Sequence, residues 1–256
     1  MFRNAVVRRP ARSLVSGITS SPHLGVPDYE TALRQHDAYI RALEACGVAV
    51  TVLEALEEYP DSCFVEDTAV CFGNGAVLTS PGAPSRRGEV EATEAALRDF
   101  YPPEAIRRIE APGTLEGGDV LVAGGEVFVG LSDRTNQAGA VRFLDILRDW
   151  GIPGQAVPVV GILHLKTGMS YLEDGRLLVT EEFEEYPPFR SFDRIRVPER
   201  EAYAANCVWM NGTVLVPAGY PGVRAAVEGL GYRVLEVDTS EFRKIDGGLT
   251  CLSLRF

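Results

Sequence analysis

The sequence predicts an α/β fold assembled from repeated strand–strand–helix–strand units, about five of them. Three observations carry this. Hairpin signals recur at "AVCFGNGAVLT" around Gly75, "DVLVAGGEVFVG" around Gly125, "SYLEDGRLLVT" around Gly175 and "CVWMNGTVLVP" around Gly212, the first three of these glycines being fifty residues apart. Amphipathic stretches follow several of the hairpins, and a glycine and a further strand tend to follow the helix. The closing stretch "KIDGGLTCLSLRF" ends on a strand that can complete a unit with the first one. Self-similarity at a fixed period of this size is the signature of a solenoid or propeller, and closure by the two chain ends would protect the sheet edges.

Taken in order, "NAVVRRP" reads as a first strand, and "DYETALRQHDAYIRALEACGVAVTVLE" as a helix, a glycine and a second strand. Each hairpin joins two β-rich runs through Gly, Asn-Gly or Asp-Gly turn chemistry. Helices are expected over Arg87–Phe100, Thr135–Trp150 and Val223–Leu230, with "WGIPGQAVPVV" and "LGYRVLEVD" as the strands after the second and third. The fourth unit is the irregular one, because "EEFEEYPPFRSFDRIRVPE" holds prolines and acids but no clear long helix. The units have no long linker or low-complexity run between them, so one domain over residues 1–256 is expected.

With 256 residues, 46% of them hydrophobic, the chain can bury a sizeable core. No run of eighteen apolar residues suggests a membrane-spanning helix. The first 27 residues carry Arg3, Arg8, Arg9 and Arg12 and no acid, the bias of a mitochondrial transit peptide, yet "NAVVRRP" serves equally as a strand. Five cysteines at scattered spacings form neither a disulfide framework nor a metal knuckle, and a cytoplasmic location is expected. A net charge of −11 disfavours nucleic acid and favours cationic ligands, although solubility alone explains acidity as well.

Cys251, on a strand expected from Leu249 to Leu254, would look away from the face of Thr250, Leu252 and Leu254. Read alone it fits a buried free thiol better than a nucleophile. His164 in "GILHLKTG" reads as a strand residue on the face opposite Leu163 and Leu165, and with His23 and His36 it makes three histidines in all. His36 reads as a packed or surface side chain of the first helix. Cysteine and histidine together define a nucleophile and acid/base pair. Glu116, before a double glycine, could orient the histidine or be a solvated turn acid. Asp61, Glu66 and Asp67 lie within seven residues and suit a planar guanidinium, which offers only donors to their acceptors. Adjacent acids reach one ligand only from an irregular strand end. Arg86 and Arg134 follow successive hairpins and would clamp a carboxylate. Acids plus arginines imply a zwitterionic ligand that carries its own cation.

"FVED", "PGAPSRR", "TLEGGDV", "DRTNQ", "LHLKTG" and "DTSEFRKIDGGLTC", in that order, closely resemble the dimethylarginine dimethylaminohydrolases of the guanidino-modifying superfamily. The likeness spans nearly the whole chain. It implies a five-bladed α/β propeller of ββαβ repeats and hydrolysis of Nω-methylated arginines to citrulline and an alkylamine. By motif it implies Cys251 as nucleophile, His164 as general acid and base, and Glu116 as the orienting carboxylate. It further implies guanidinium contacts at Glu66 and Asp67, a polar substrate contact at Asp61 and carboxylate contacts at Arg86 and Arg134. Main-chain carbonyls at Ile18 and Ile245 would receive the α-amino group, and the loop from Gly17 to Gly25 would cover the substrate.

No metal and no organic cofactor is expected, and zinc on Cys251, His164 and an acid would be an inhibitor or an artefact of a reactive pair. The partner expected is a small cationic amino acid, with no nucleic acid and no membrane, and a homodimer is left open. The rival readings are an arginine deiminase-like hydrolase of another guanidine and a catalytically silent binding scaffold.

Overall fold

The computed structural model describes all 256 residues. In chain order the first strands are β1 (Asn4–Arg8), β2 (Ala49–Leu53), β3 (Ala69–Phe72), β4 (Gly75–Leu78), β5 (Ile106–Arg108), β6 (Val120–Ala123), β7 (Glu126–Leu131) and β8 (Gly154–Pro158). Then come β9 (Met169–Tyr171), β10 (Arg176–Val179), β11 (Asp193–Arg196), β12 (Val208–Met210), β13 (Thr213–Pro217), β14 (Arg233–Val237) and β15 (Leu254–Arg255). The helices are α1 (Tyr29–Ala45), α2 (Glu89–Leu97), α3 (Gln137–Asp149), α4 (Glu181–Glu184), α5 (Pro221–Gly229) and α6 (Ser240–Arg243).

These strands form five three-stranded sheets of one design: β15-β1-β2, β3-β4-β5, β6-β7-β8, β9-β10-β11 and β12-β13-β14. In each, the central strand pairs antiparallel with the first neighbour and parallel with the other. The parallel partner requires a crossover, and a helix supplies it in every unit. The expected repeats are therefore present, and the first and last strands share a sheet. Two of the hairpin turns, Gly124-Gly125 and Asn211-Gly212, have positive φ at both residues, the geometry that their Gly and Asn-Gly chemistry selects. The fourth unit has only the four-residue α4, as its prolines and acids foretold.

The chain divides into two compact units, one made of Met1–Val65 with Val197–Phe256 and the other of Glu66–Arg196. The first contains β15-β1-β2 and β12-β13-β14, and its core includes Tyr39 and Leu43 of α1 with Phe64, Leu215, Phe242, Leu249 and Leu252. Asp28 caps α1 by accepting the Thr31 N–H at 2.8 Å. The second contains the other three sheets and two cores, one around Phe128, Leu177 and Phe189, the other around Val77, Phe143, Ile146 and Leu147. Phe143, Ile146 and Leu147 recur at three and four residues along α3, so one face of that helix is apolar and buried.

A 3₁₀ turn precedes the first strand of every sheet. Val65–Thr68 enters β3, Gly117–Asp119 enters β6, Leu165–Thr167 leads to β9, Glu199–Ala205 to β12 and Thr250–Leu252 to β15. Two sequence expectations are corrected here. Cys251 lies in the last of these turns, not on a strand, and His164 is the residue before the third. The physical reason is visible in the leucines. Leu249 and Leu252 are both fully buried, which a spacing of three achieves in a 3₁₀ turn but a period of two would not.

Candidate active site

In the second unit, His164 is held by the residues before β6. Its ring Nε2 lies 2.7 Å from Glu116 Oε2, and both side chains are buried. The backbone around it is fixed as well, because the Leu165 N–H donates to Asp119 Oδ1 at 3.0 Å and the His164 N–H to Thr167 Oγ1 at 3.2 Å. Burial by itself would lower the pKa of this imidazole. Asp67, the hydrogen bond to Glu116, and the charges of Asp119 and Glu116 outweigh it and raise the pKa to about 9. For Glu116, burial works toward the neutral acid, and the His164 hydrogen bond and charge, with Arg86 and Arg134, override it and bring the pKa to about 2. The pair is an imidazolium carboxylate at neutral pH, a proton donor kept loaded in a dry setting.

Glycine explains how the acids come so close to the ring. A Cβ on Gly118 would lie 2.6 Å from His164 Nδ1 and 3.1 Å from Asp67 Oδ1, and one on Gly117 would collide with the Glu66 carbonyl. The double glycine thus removes two side chains where backbone must approach catalytic-type groups. In return, the Gly118 N–H donates to Asp67 Oδ1 at 2.9 Å.

Asp67 and Glu66 do sit at an irregular strand end, the turn before β3. Each has a resident cation. Arg86 Nη1 donates to Asp67 Oδ2 at 2.6 Å, while its Nε and Nη2 grip both oxygens of Glu89 at 3.1 and 2.9 Å. Burial opposes the charge on Arg86, but Glu89 and Asp67 more than offset this and hold its pKa well above the usual arginine range. Lys166 Nζ stands 2.6 Å from Glu66 Oε1. Arg134 Nη1 leans on Glu116 Oε1 at 3.4 Å, an oxygen that also accepts the Ala83 N–H at 3.2 Å.

In the first unit, Cys251 is half-buried and receives the Gly248 N–H on its sulfur at 3.4 Å. A donor aimed at sulfur favours the thiolate, the reactive form. Asp61, Ile18 and Ile245 meet around Gly17. Asp61 Oδ1 accepts the Ile18 N–H at 2.9 Å, and a Cβ on Gly17 would lie 3.0 Å from Asp61 Oδ1 and 3.1 Å from Ile245 Cδ1.

Over its full length this chain is 53% identical to the N(G),N(G)-dimethylarginine dimethylaminohydrolase of Pseudomonas aeruginosa, covering 100% of both chains. It belongs to the dimethylarginine dimethylaminohydrolase family. The family profile described as N,N dimethylarginine dimethylhydrolase, eukaryotic, matches residues 28–152. A Pseudomonas aeruginosa structure of this name, a cysteine-to-serine mutant complexed with citrulline, superposes with a TM-score of 0.98 at 53% identity over 100% of both chains. A second dimethylarginine dimethylaminohydrolase, carrying a histidine-to-glycine change and bound as an adduct with S-methyl-L-thiocitrulline, gives the same TM-score, identity and coverage. The five-bladed α/β propeller class is accordingly the fold of this family member.

The sequence pointed to ten residues in this dimethylarginine dimethylaminohydrolase family chain, and the structure gathers them into two groups, one in each unit. Asp67, Arg86, Glu116, Arg134 and His164 lie together in the second unit, where Glu66 pairs with Lys166, and Ile18, Asp61 and Ile245 share another place in the first, which also carries Cys251. Residues not singled out complete these networks. Asp119 accepts from Ser132 Oγ at 2.6 Å and Thr135 Oγ1 at 2.7 Å as well as from the Leu165 N–H. Glu89 is the i+3 partner of Arg86, and Lys166 is two residues past His164. The signals were present: Asp119 follows the double glycine, and Glu89 sits at helical spacing from an arginine.

Asp67, Glu116 and His164 also offer ligand atoms within 4.8 Å of one another. All three are metal-ligand types, and all three are paired with protein groups. No helix is long and apolar enough to cross a membrane.

Proposed function

We propose that this protein hydrolyses Nω-methylated arginines to citrulline and an alkylamine through a covalent intermediate on Cys251. The observation that carries this reading is the buried His164–Glu116 pair, which keeps a proton available at neutral pH, in a chain of this family. A guanidinium carbon is a poor electrophile because three nitrogens share its charge. Its plane must be held and its leaving nitrogen protonated.

Glu66 and Asp67 hold the guanidinium plane, which supplies orientation. The Cys251 thiolate adds to the guanidinium carbon, and the imidazolium of His164 gives its proton to the substituted nitrogen. The carbon–nitrogen bond breaks, dimethylamine leaves and an S-alkylthiouronium remains. His164, now neutral, takes a proton from water as the water oxygen adds to the same carbon. The carbon–sulfur bond then breaks, the thiolate is restored and citrulline departs once the second proton of the water is lost to solvent, where it balances protonation of the released amine, with one water consumed for each amine released. Glu116 stabilises the charged ring before the first transfer and after the second. Arg134 and the carbonyls of Ile18 and Ile245 bind the amino-acid end, with Arg86 as the other carboxylate contact and Asp61 as a further polar contact of the substrate. A single catalytic domain over residues 1–256, assembly as a homodimer and a cytoplasmic location belong to the same reading.

Product analysis tests it. Purified protein is given dimethylarginine or arginine, and dimethylamine, ammonia and citrulline are measured. Dimethylamine with citrulline from dimethylarginine is expected; ammonia from arginine alone would move the chain to a deiminase reaction.

A further inference from the structure

The turn that presents Cys251 is clamped by a residue from the preceding sheet. Asn206, 6% exposed, stands just before β12. Its two amide atoms both engage Thr250: Oδ1 accepts the Thr250 N–H at 2.9 Å and Nδ2 donates to Thr250 Oγ1 at 3.0 Å. Gly248 packs on the same amide, since a Cβ there would lie 2.6 Å from Asn206 Oδ1. From the 3₁₀ turn Glu199–Ala205 that runs into Asn206, Tyr203 donates its hydroxyl to the Gly247 carbonyl at 2.8 Å and lies 2.9 Å from Thr239 Oγ1. The peptide unit between these anchored points carries the Gly248 N–H that meets Cys251 Sγ at 3.4 Å.

The repeat makes the placement intelligible. The segments before β3, β6 and β9 carry Glu66 with Asp67, Glu116 and His164, whereas the segment before β12 ends on Asn206. Asparagine has both a donor and an acceptor, so it can grip a neighbouring turn from two sides, which a carboxylate cannot do.

We propose that Asn206 is a positioning residue for Cys251: by clamping Thr250 and seating Gly248, it fixes the backbone N–H directed at the nucleophile's sulfur. This rests on the reading of Cys251 as nucleophile. Loss of the clamp lets the turn shift, and a misplaced nucleophile slows chemistry more than it weakens substrate binding.

The test compares Asn206→Ala, Thr250→Val and Cys251→Ser with the parent protein. Steady-state kinetics use dimethylarginine, and the pH midpoint of Cys251 alkylation by iodoacetamide is followed by peptide mass spectrometry. In Asn206→Ala and Thr250→Val, kcat is expected to fall by between about tenfold and a hundredfold while KM stays within about threefold. The alkylation midpoint is expected to rise, because the thiolate loses its aligned donor. An unchanged midpoint in folded variants, whether or not kcat or thermal stability falls, overturns the inference. If Asn206→Ala does not fold, Thr250→Val, which removes the hydroxyl that accepts from Asn206 Nδ2 and keeps the Thr250 N–H, decides. Turnover retained by Cys251→Ser would overturn the nucleophile reading instead, and the alkylation midpoints would still judge the clamp.

Discussion

His164 Nε2 lies 2.7 Å from Glu116 Oε2, with both side chains withdrawn from solvent. Each partner favours the charged form of the other. The imidazole pKa, 6.5 in an unstructured chain, rises to about 9, so its stabilising contribution is complete below 6.5 and disappears as pH climbs through about 9. The carboxyl pKa falls from 4.5 to about 2, so its contribution is complete above 4.5 and disappears as pH drops through about 2. These are two views of one coupled pair and are not additive.

Activity and stability of the parent protein are therefore expected to decline together on the alkaline side near pH 9. Glu116→Gln should bring the alkaline fall in kcat to lower pH and reduce kcat by about a hundred- to ten-thousand-fold. Rate–pH profiles and thermal unfolding across pH check this. An unmoved alkaline limb would detach Glu116 from the proton donor.

Gly118→Ala places a methyl against an imidazole ring and a carboxylate that are themselves hydrogen-bonded, leaving neither free to yield. We expect a stability loss of about 1–3 kcal/mol. The rate should fall further than that of a distant Gly→Ala change such as Gly229→Ala, whose Cβ would meet nothing within 4 Å. Denaturant unfolding and kcat for the two variants provide the comparison.

Arg86 is committed on three sides to Asp67 and Glu89, which makes it a support for the guanidinium-binding acid as well as a candidate contact for the substrate carboxylate. Arg86→Met leaves two buried carboxylates without their cation and should cost about 3–5 kcal/mol of stability. Turnover of methylguanidine, which has no carboxylate, separates the roles. An equal loss on methylguanidine and on dimethylarginine identifies Arg86 with Asp67; a loss confined to dimethylarginine identifies it with the substrate carboxylate.

Cys251→Ser should abolish turnover and keep ligand binding, because the hydroxyl fills the place of the thiol but is a far weaker nucleophile at neutral pH. Amine release and calorimetric titration with dimethylarginine measure the two effects. Persistent amine release would remove Cys251 from the reaction.

His36, placed on the first helix as a packed or surface side chain, is buried without a hydrogen-bond partner at either ring nitrogen, and burial lowers its pKa to about 4. It is a core residue of α1, and its fate shows why histidine alone is a poor guide to a site. His164 differs in having three carboxylates directed at it, two from the segment before β6 and one from the turn before β3.

The repeating unit and the chemical cast are legible in the order of residues. Hairpin turns, helix periodicity and caps are local properties, written within a few residues of one another, and the ordered motifs carried the family with its cysteine, histidine and acids. The local geometry and the supporting partners come from the folded chain. Cys251 and His164 read as strand residues because leucines flank them, yet the burial of Leu249 with Leu252 and the capture of the Leu165 N–H by Asp119 make both segments turns. Likewise Lys166 on Glu66, Asp67 on Arg86, and Asn206 on Thr250 are pairings across 19 to 100 residues of chain. A donor and an acceptor that far apart leave no period or spacing to read, since only the folded backbone brings them within hydrogen-bond reach.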